Sequence, residues 1–182
     1  MRKTRKAAAI LTAAAMAAVS AAPVMADEIK DLYDYETQAR EVETWNILHS
    51  QSAADLNVLT NLYDGLVEAD EYGKVVPAIA ESWETEDNGI TWTFHLREGV
   101  KWVDQNGNEK GEVTAQDFLT GLEWILNFHK NDAANTSMPM EMIVGAEDYY
   151  NMTSELDADA GFALTAESPE FADTVGIKAI DD

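Results

Sequence analysis

Hydrophobic and polar positions alternate with two distinct periods along this chain, and each period predicts a different element. From Ser52 onward, Leu56, Leu59, Leu62, Tyr63 and Leu66 recur every three or four residues. That spacing predicts a helix with one apolar, core-facing side. Ser52 suits its N-cap, because a hydroxyl there accepts from a free backbone N–H, and Asp55 in the first turn complements the helix dipole. Leu66 to Ala69 reads as extended, Asp70-Glu71-Tyr72-Gly73 as a turn, and Val75 to Ala80 as a further extended run that Pro77 keeps out of a central strand position. Thr37 to Glu43 reads as a short strand after an acidic lead-in from Asp27 to Tyr35.

The period then changes to two. Trp83 to Glu86 and Ile90 to Arg97 flank Asp87-Asn88-Gly89. Asn-Gly between alternating runs predicts a β-hairpin, since both residues tolerate positive φ. Ile90, Trp92, Phe94 and Leu96 fall on one face, and Thr91, Thr93, His95 and Arg97 on the other. A slip of one residue would invert both faces, so the register is well specified. Trp102 follows the Glu98-Gly99 turn, and Asp104 to Gly111 is a polar loop. Asp104, Asn106, Asn108 and Glu112 suggest calcium, but an EF-hand loop needs Gly at its sixth position and Glu at its twelfth; counted from Asp104 these are Glu109 and Ala115, so the segment reads as an ordinary turn.

Thr114-Ala115-Gln116-Asp117 resembles a capping box, with Asp in place of Glu or Gln. Phe118, Leu122, Ile125, Leu126 and His129 share one face of the helix it opens. Asn131 to Ser137 reads as a loop. Pro139 starts a helix continuing through Met142 and Ile143 to Tyr150. Met152 to Asp173 reads as an acidic surface excursion, and Val175 to Ile180 as a strand.

Composition narrows the classes. Of 182 residues, 12 are Lys or Arg and 34 are Asp or Glu, a net charge of −22. Nucleic acid needs a basic footprint, so it is excluded as a partner. A 46% hydrophobic content with 5 Trp, 6 Tyr and 5 Phe excludes a wholly disordered acidic tail. There is no cysteine, hence no disulfide, thiol nucleophile or lipidated cysteine. Residues 1–26 read as a secretory signal peptide: Arg2, Lys3, Arg5 and Lys6 precede the apolar run Ala7 to Val19, and Val24-Met25-Ala26 supplies a cleavage pattern. The run is short for a membrane span. The mature part, 27–182, then holds 8 basic and 34 acidic residues, a net of −26, and is expected to be soluble outside the cytoplasm.

Catalytic constellations are lacking. His49, His95 and His129 stand singly, with no second histidine at metal-ligand spacing. His95 lies on the outer face of a strand and His129 at a helix end, where a cation suits the dipole. No G-x-S-x-G elbow, P-loop or dinucleotide fingerprint occurs. No cofactor or metal is implied.

Four blocks carry a resemblance. Asn61-Leu62-Tyr63-Asp64-Gly65-Leu66-Val67, Val76 to Trp83, Thr91 to Trp102 and Val113 to Phe118 are similar, in order and spacing, to the oligopeptide- and dipeptide-binding family, the family 5 solute-binding proteins of ABC importers. Val175 to Asp182 resembles a further block. The resemblance runs from about Glu43 to the C-terminus. It implies an α/β fold of the type II, cluster C periplasmic-binding-protein kind, with a mixed sheet, packed helices and two lobes closing over an oligopeptide or dipeptide. The strand pair and the Thr114 helix would belong to an extra subdomain of the first lobe. Family members are much longer, so 27–182 is expected to be a truncated first lobe that lacks the second and binds peptide weakly or not at all. The ligand would pass to ABC permease subunits from a periplasmic or extracellular monomer. Relatives from single-membrane bacteria usually carry a lipidated Cys where this chain has Asp27.

Such receptors hold peptides by main-chain hydrogen bonds, in effect adding a strand inside a cleft. By the resemblance, the segment before the first helix makes those bonds, which places Gln51, Ser52 and Ala53 at the ligand; a plain helix cap explains Ser52 equally well. The loop Asn135 to Met140 resembles one that approaches the ligand, which adds Met138 and Met140, though loop and core methionines would look the same. Two rivals remain: a secreted carboxylate-based hydrolase, which needs a buried acid pair facing a cleft, and an acidic exported interaction module.

Overall fold

A computed structural model describes residues 41–131 and 135–180. Among these described residues, seven helices and six strands follow one another in the order α1 (Ala53–Leu59), β1 (Val67–Ala69), β2 (Val75–Pro77), β3 (Ala80–Glu86), β4 (Thr91–Leu96), β5 (Lys101–Val103), β6 (Glu109–Glu112), α2 (Ala115–Leu126), α3 (Phe128–Asn131), α4 (Ser137–Met142), α5 (Ala146–Ser154), α6 (Ala158–Ala163) and α7 (Pro169–Ala172). Helices and strands are both present, as the α/β expectation has it. Among the described residues, however, the strands form three separate antiparallel pairs, β1–β2, β3–β4 and β5–β6, instead of one mixed sheet. The expected signal peptide and the lead-in lie outside the described residues, and 41–43 is not strand.

The hairpins follow their turn chemistry. Asp87 and Asn88 take φ of 51° and 60°, and Gly89 takes 88°, the left-handed conformations that Asn and Gly adopt at least cost. The register pairs Trp83 with Phe94 and Thr85 with Trp92, so the aromatic residues share one face. Trp92 also donates its indole N–H to Gly89 O at 2.9 Å. In the β1–β2 turn, Asp70 Oδ1 accepts from the N–H groups of Tyr72 and Lys74, each at 2.9 Å. Asp104 does the same work in the β5–β6 turn, accepting from the N–H groups of Asn106 and Asn108. The polar loop is thus a turn over 104–108, while its second half, expected as loop to Gly111, pairs with β5 as strand β6.

The core lies among α2 and the helices after it. Leu126, Ala146, Tyr149, Ala166, Phe171 and Val175 are buried together, with Leu119, Leu122, Met140, Ile143, Met152, Leu164 and Ile177 packed against them. Each large side chain so buried contributes about 1.5–3 kcal/mol. Tyr149 and Phe171 meet edge to face, centroids 5.1 Å apart, which adds about 0.5–1.5 kcal/mol.

Five expectations are corrected. The first helix stops at Leu59: Asn61 Nδ2 donates to Asn57 O at 2.9 Å and takes up a C-terminal carbonyl. Leu62 and Tyr63 consequently stand exposed instead of lining a core face. The Thr114 helix stops before His129. Asn127, fully buried, turns extended and donates to both Glu123 Oε1 (2.8 Å) and Gly161 O (2.9 Å). His129 sits in α3 with Nε2 3.0 Å from Leu156 O. The Pro139 helix divides into α4 and α5 at Gly145, whose φ is 74°. Residues 152–173 are no surface excursion: they fold into α6 and α7 and bury Thr153, Ala166 and Phe171. Finally, 175–180 is not a strand. Burial still alternates from Val175 to Ile180, as the residue pattern predicts, but its backbone bonds make no ladder: Val175 N–H donates to Phe171 O, Gly176 N–H to Val144 O and Ile177 N–H to Val175 O.

Candidate functional site

The stretch before α1 is held by one buried carboxylate. Asp55 is 1% exposed. A buried charge needs donors, and Asp55 has them: Glu43 N–H on Oδ1 at 3.1 Å and the Ser50 hydroxyl on Oδ2 at 3.1 Å. Ser52 caps α1 as its sequence position predicts, its hydroxyl accepting from Asp55 N–H at 3.3 Å. Ser52 N–H in turn donates to Ser50 Oγ at 3.3 Å. Upstream, the N–H groups of His49 and Ser50 share Asn46 O. Leu48 reaches across to α2, its Cδ2 3.8 Å from where a Cβ on Gly121 would lie. Segment 46–52 is therefore a defined backbone shelf. Gln51 is exposed on it and Ser52 half-buried, while Ala53, exposed, is the first residue of α1.

The second candidate segment is tied to the first. Asn135 Nδ2 donates to Ser50 O at 2.6 Å, with Leu48 O farther off at 3.5 Å. This contact joins residues 85 positions apart, directly beside Gln51 on one side and three residues before Met138 on the other. Met138 is 74% exposed. Met140 is half-buried and packs against the core, so part of its environment is the ordinary core setting. The structure brings the two segments together, and separates the two methionines by environment. Ser50, Asp55 and Asn135 were missed as positioning residues; the run Ser50-x-Ser52-x-x-Asp55, with its local acceptors, was the available signal.

A shallow depression of about 280 Å³ runs from Met140 to Gly145, edged by Glu147 and Asp148. It includes none of Gln51, Ser52, Ala53 or Met138. The described buried carboxylates are Asp55 and Glu123, and neither lines this depression. Glu123 is saturated inside the fold: Oε1 accepts from Asn127 and from the Tyr149 hydroxyl (2.8 Å each), and Oε2 from Lys130 Nζ at 2.7 Å. Lys130 also donates to Leu164 O. Burial, reinforced by its bond to the Glu123 carboxylate, holds the Tyr149 hydroxyl well above the usual phenol range. This is the arrangement of a structural clamp, with every ligand of the carboxylate internal. No group of three or more His, Cys, Asp or Glu able to hold a metal occurs among the described residues, and no described helix is long and apolar enough to cross a membrane.

The 46–52 segment is thus tethered through Asn135 to the start of α4, where Met138 is exposed; the Asn135 to Met140 stretch, expected as a loop, is helical from Ser137 onward. Comparison with known sequences defines the class: the profile described as "Bacterial extracellular solute-binding proteins, family 5 Middle" matches residues 74–182. The chain belongs to this family of solute-binding proteins, and the resemblance read from its sequence blocks is correct. Among relatives, it is 34% identical over 150 residues to the oligopeptide-binding protein AliB of Streptococcus pneumoniae, which covers 82% of this chain and 20% of AliB. It is 34% identical over 175 residues to AmiA of the same organism, 95% of this chain and 23% of AmiA. To the periplasmic oligopeptide-binding protein OppA of Salmonella typhimurium it is 33% identical over 186 residues, 100% of this chain and 30% of OppA. The chain thus spans between a fifth and three tenths of the length of these relatives.

Proposed function

We propose that this chain forms part of an exported receptor that binds peptides and delivers them to the permease of an ABC importer, and that it does no chemistry of its own. Gln51, Ser52 and Ala53 lie along the peptide main chain, as the family resemblance implies, and Met138 supplies an adaptable apolar contact. Met140 acts mainly from behind, seating α4 on the core. The observation that carries this reading is the Asn135–Ser50 hydrogen bond, which sets the two segments edge to edge. Support comes also from the names of the relatives, several of them oligopeptide-binding proteins.

On this reading residues 1–26 are a cleaved signal peptide and 27–182 are one wall of a two-walled cleft. A peptide resting on one wall stays half in water and loses much of the burial that gives affinity. Calorimetric titration of the chain with pentaalanine tests the proposal. Weak, saturable heat with a Kd well above the micromolar range is expected. No binding at all removes the peptide-receiving rim; tight binding shows that a second wall is dispensable.

A further inference from the structure

Asn-Gly occurs twice in this chain, at Asn88-Gly89 and at Asn106-Gly107. Each pair sits in the turn of an antiparallel hairpin, and all four residues are exposed. Such a dipeptide carries a reaction within itself. The glycine nitrogen, unhindered for want of a Cβ, loses its proton to hydroxide and attacks Cγ of the preceding side chain. The N–Cγ bond forms, the Cγ–Nδ2 bond breaks, and ammonia leaves. Water then opens the five-membered imide at either carbonyl. One opening gives aspartate; the other gives isoaspartate, with the main chain rerouted through the side chain. The balance is asparagine plus water to aspartyl product plus ammonia, with no redox change.

The two turns differ in what holds the attacking nitrogen. Gly107 N–H donates to Asp104 O at 2.9 Å. Asp104 Oδ1 accepts from the N–H groups on either side of it, Asn106 at 2.9 Å and Asn108 at 3.0 Å. The Asn108 side-chain amide and Lys110 Nζ each lie 3.0 Å from Asp104 Oδ2. Three consecutive amides are thus fixed on one residue, two of them by charge-assisted bonds, the stronger kind. In the other turn, Gly89 N–H shares the neutral Glu86 O with Ile90 N–H, at 3.0 and 3.2 Å. Asp87 and Asn88 before it stand at φ of 51° and 60°, a conformation costly to residues with a Cβ, so opening this turn relieves strain.

We infer that Asn88 is a site of spontaneous deamidation, and that Asp104 protects Asn106 from the same reaction. The isoaspartyl product lengthens the main chain by one atom at the turn that sets the β3–β4 register. It also moves Gly89 O from the Trp92 indole that donates to it at 2.9 Å. The reaction needs no ligand, so it is independent of peptide binding.

The test keeps the full 182-residue chain in mildly alkaline buffer and follows each asparagine by peptide mapping, which reads a gain of one mass unit. Asn88 should convert roughly tenfold faster than Asn106, the factor that one further charge-assisted bond puts on a barrier. In concentrated urea the two rates should converge. In Asp104→Ala the Asn106 rate should rise toward that of Asn88 while the Asn88 rate stays unchanged, which separates loss of the clamp from loss of the fold. Equal rates in the folded chain, or Asn106 leading, overturn the inference. So does a lead of Asn88 that persists in urea, because flanking residues and not the turn would then set it. A rise at both sites together in Asp104→Ala, or at neither, removes the protective role of Asp104.

Discussion

Asn135 donates its side-chain amide to the carbonyl of Ser50 across 2.6 Å and 85 residues of chain. Two stretches that share no secondary structure are thereby held in one rim. Asn135→Ala removes a bond of about 1 kcal/mol and should lower Tm by about 2–4 °C. Asn135→Asp keeps the shape but turns an acceptor toward an acceptor, so it should cost more than the alanine. Thermal unfolding followed by circular dichroism orders the two variants; an aspartate as stable as wild type would show that the amide is not what joins the segments.

The Glu123 cluster should behave as a single unit. Breaking a buried ion pair leaves its partner charge uncompensated, so Glu123→Gln should cost about 3–5 kcal/mol in urea unfolding. Tyr149→Phe removes a hydrogen bond to a charged group and should cost about 1.5–3 kcal/mol. The same pair carries a pH signature. In the unfolded chain Tyr149 ionises at its ordinary value of 10.0, while in the folded chain it stays protonated to higher pH. Its contribution is therefore complete below pH 10 and declines as the pH rises above that value. Stability of the wild type should fall more steeply above pH 10 than that of Tyr149→Phe; parallel slopes would contradict the burial of this hydroxyl.

Gly145 occupies a site closed to any side chain. Its φ is 74°, and a Cβ there would lie 1.8 Å from Thr174 O. Gly145→Ala combines backbone strain of about 1–3 kcal/mol with a displacement of the tail that Val144 holds through Gly176. Loss of protection of the Gly176 amide in hydrogen exchange should accompany the loss of stability.

Asp104 should remain ionised in unusually acid solution. The side-chain amide and backbone N–H of Asn108, with Lys110 and the Asn106 N–H, hold its carboxyl well below the ordinary 3.8. Such a group stabilises the fold above its unfolded value and loses that contribution as the pH falls through its folded one. Carboxyl-carbon NMR should find Asp104 still charged where other aspartates are half protonated, and the stability gap between wild type and Asp104→Asn should close toward low pH. An Asp104 titrating with the bulk of the aspartates would contradict the turn geometry.

The elements legible in the sequence were those decided locally. Asn88-Gly89 set the hairpin, Ser52 with Asp55 set the start of α1, and Thr114 caps α2 in a capping box, Asp117 at its third position accepting from Thr114 N–H at 2.8 Å. Where a distant partner decides, the pattern misleads. Asn127 ends α2 because Gly161, 34 residues on, accepts its amide. Residues 152–173 look polar because six acidic residues are interspersed among the apolar ones, yet Phe171 is buried against Tyr149. For the proposed rim, the family resemblance points to Gln51 to Ala53 and to Met138 and Met140, but the Asn135 tether is visible only in the fold, since nothing in a single sequence pairs position 135 with position 50.

The most direct measurement uses methionine methyl groups labelled with carbon-13. Pentaalanine titrated into the labelled chain should shift the Met138 signal most, the half-buried Met140 less, and leave the core-packed Met152 where it was. A Met138 signal that stays still at saturating peptide, or a Met152 signal that moves as far as Met138, would contradict a peptide site on the rim that Asn135 and Ser50 close.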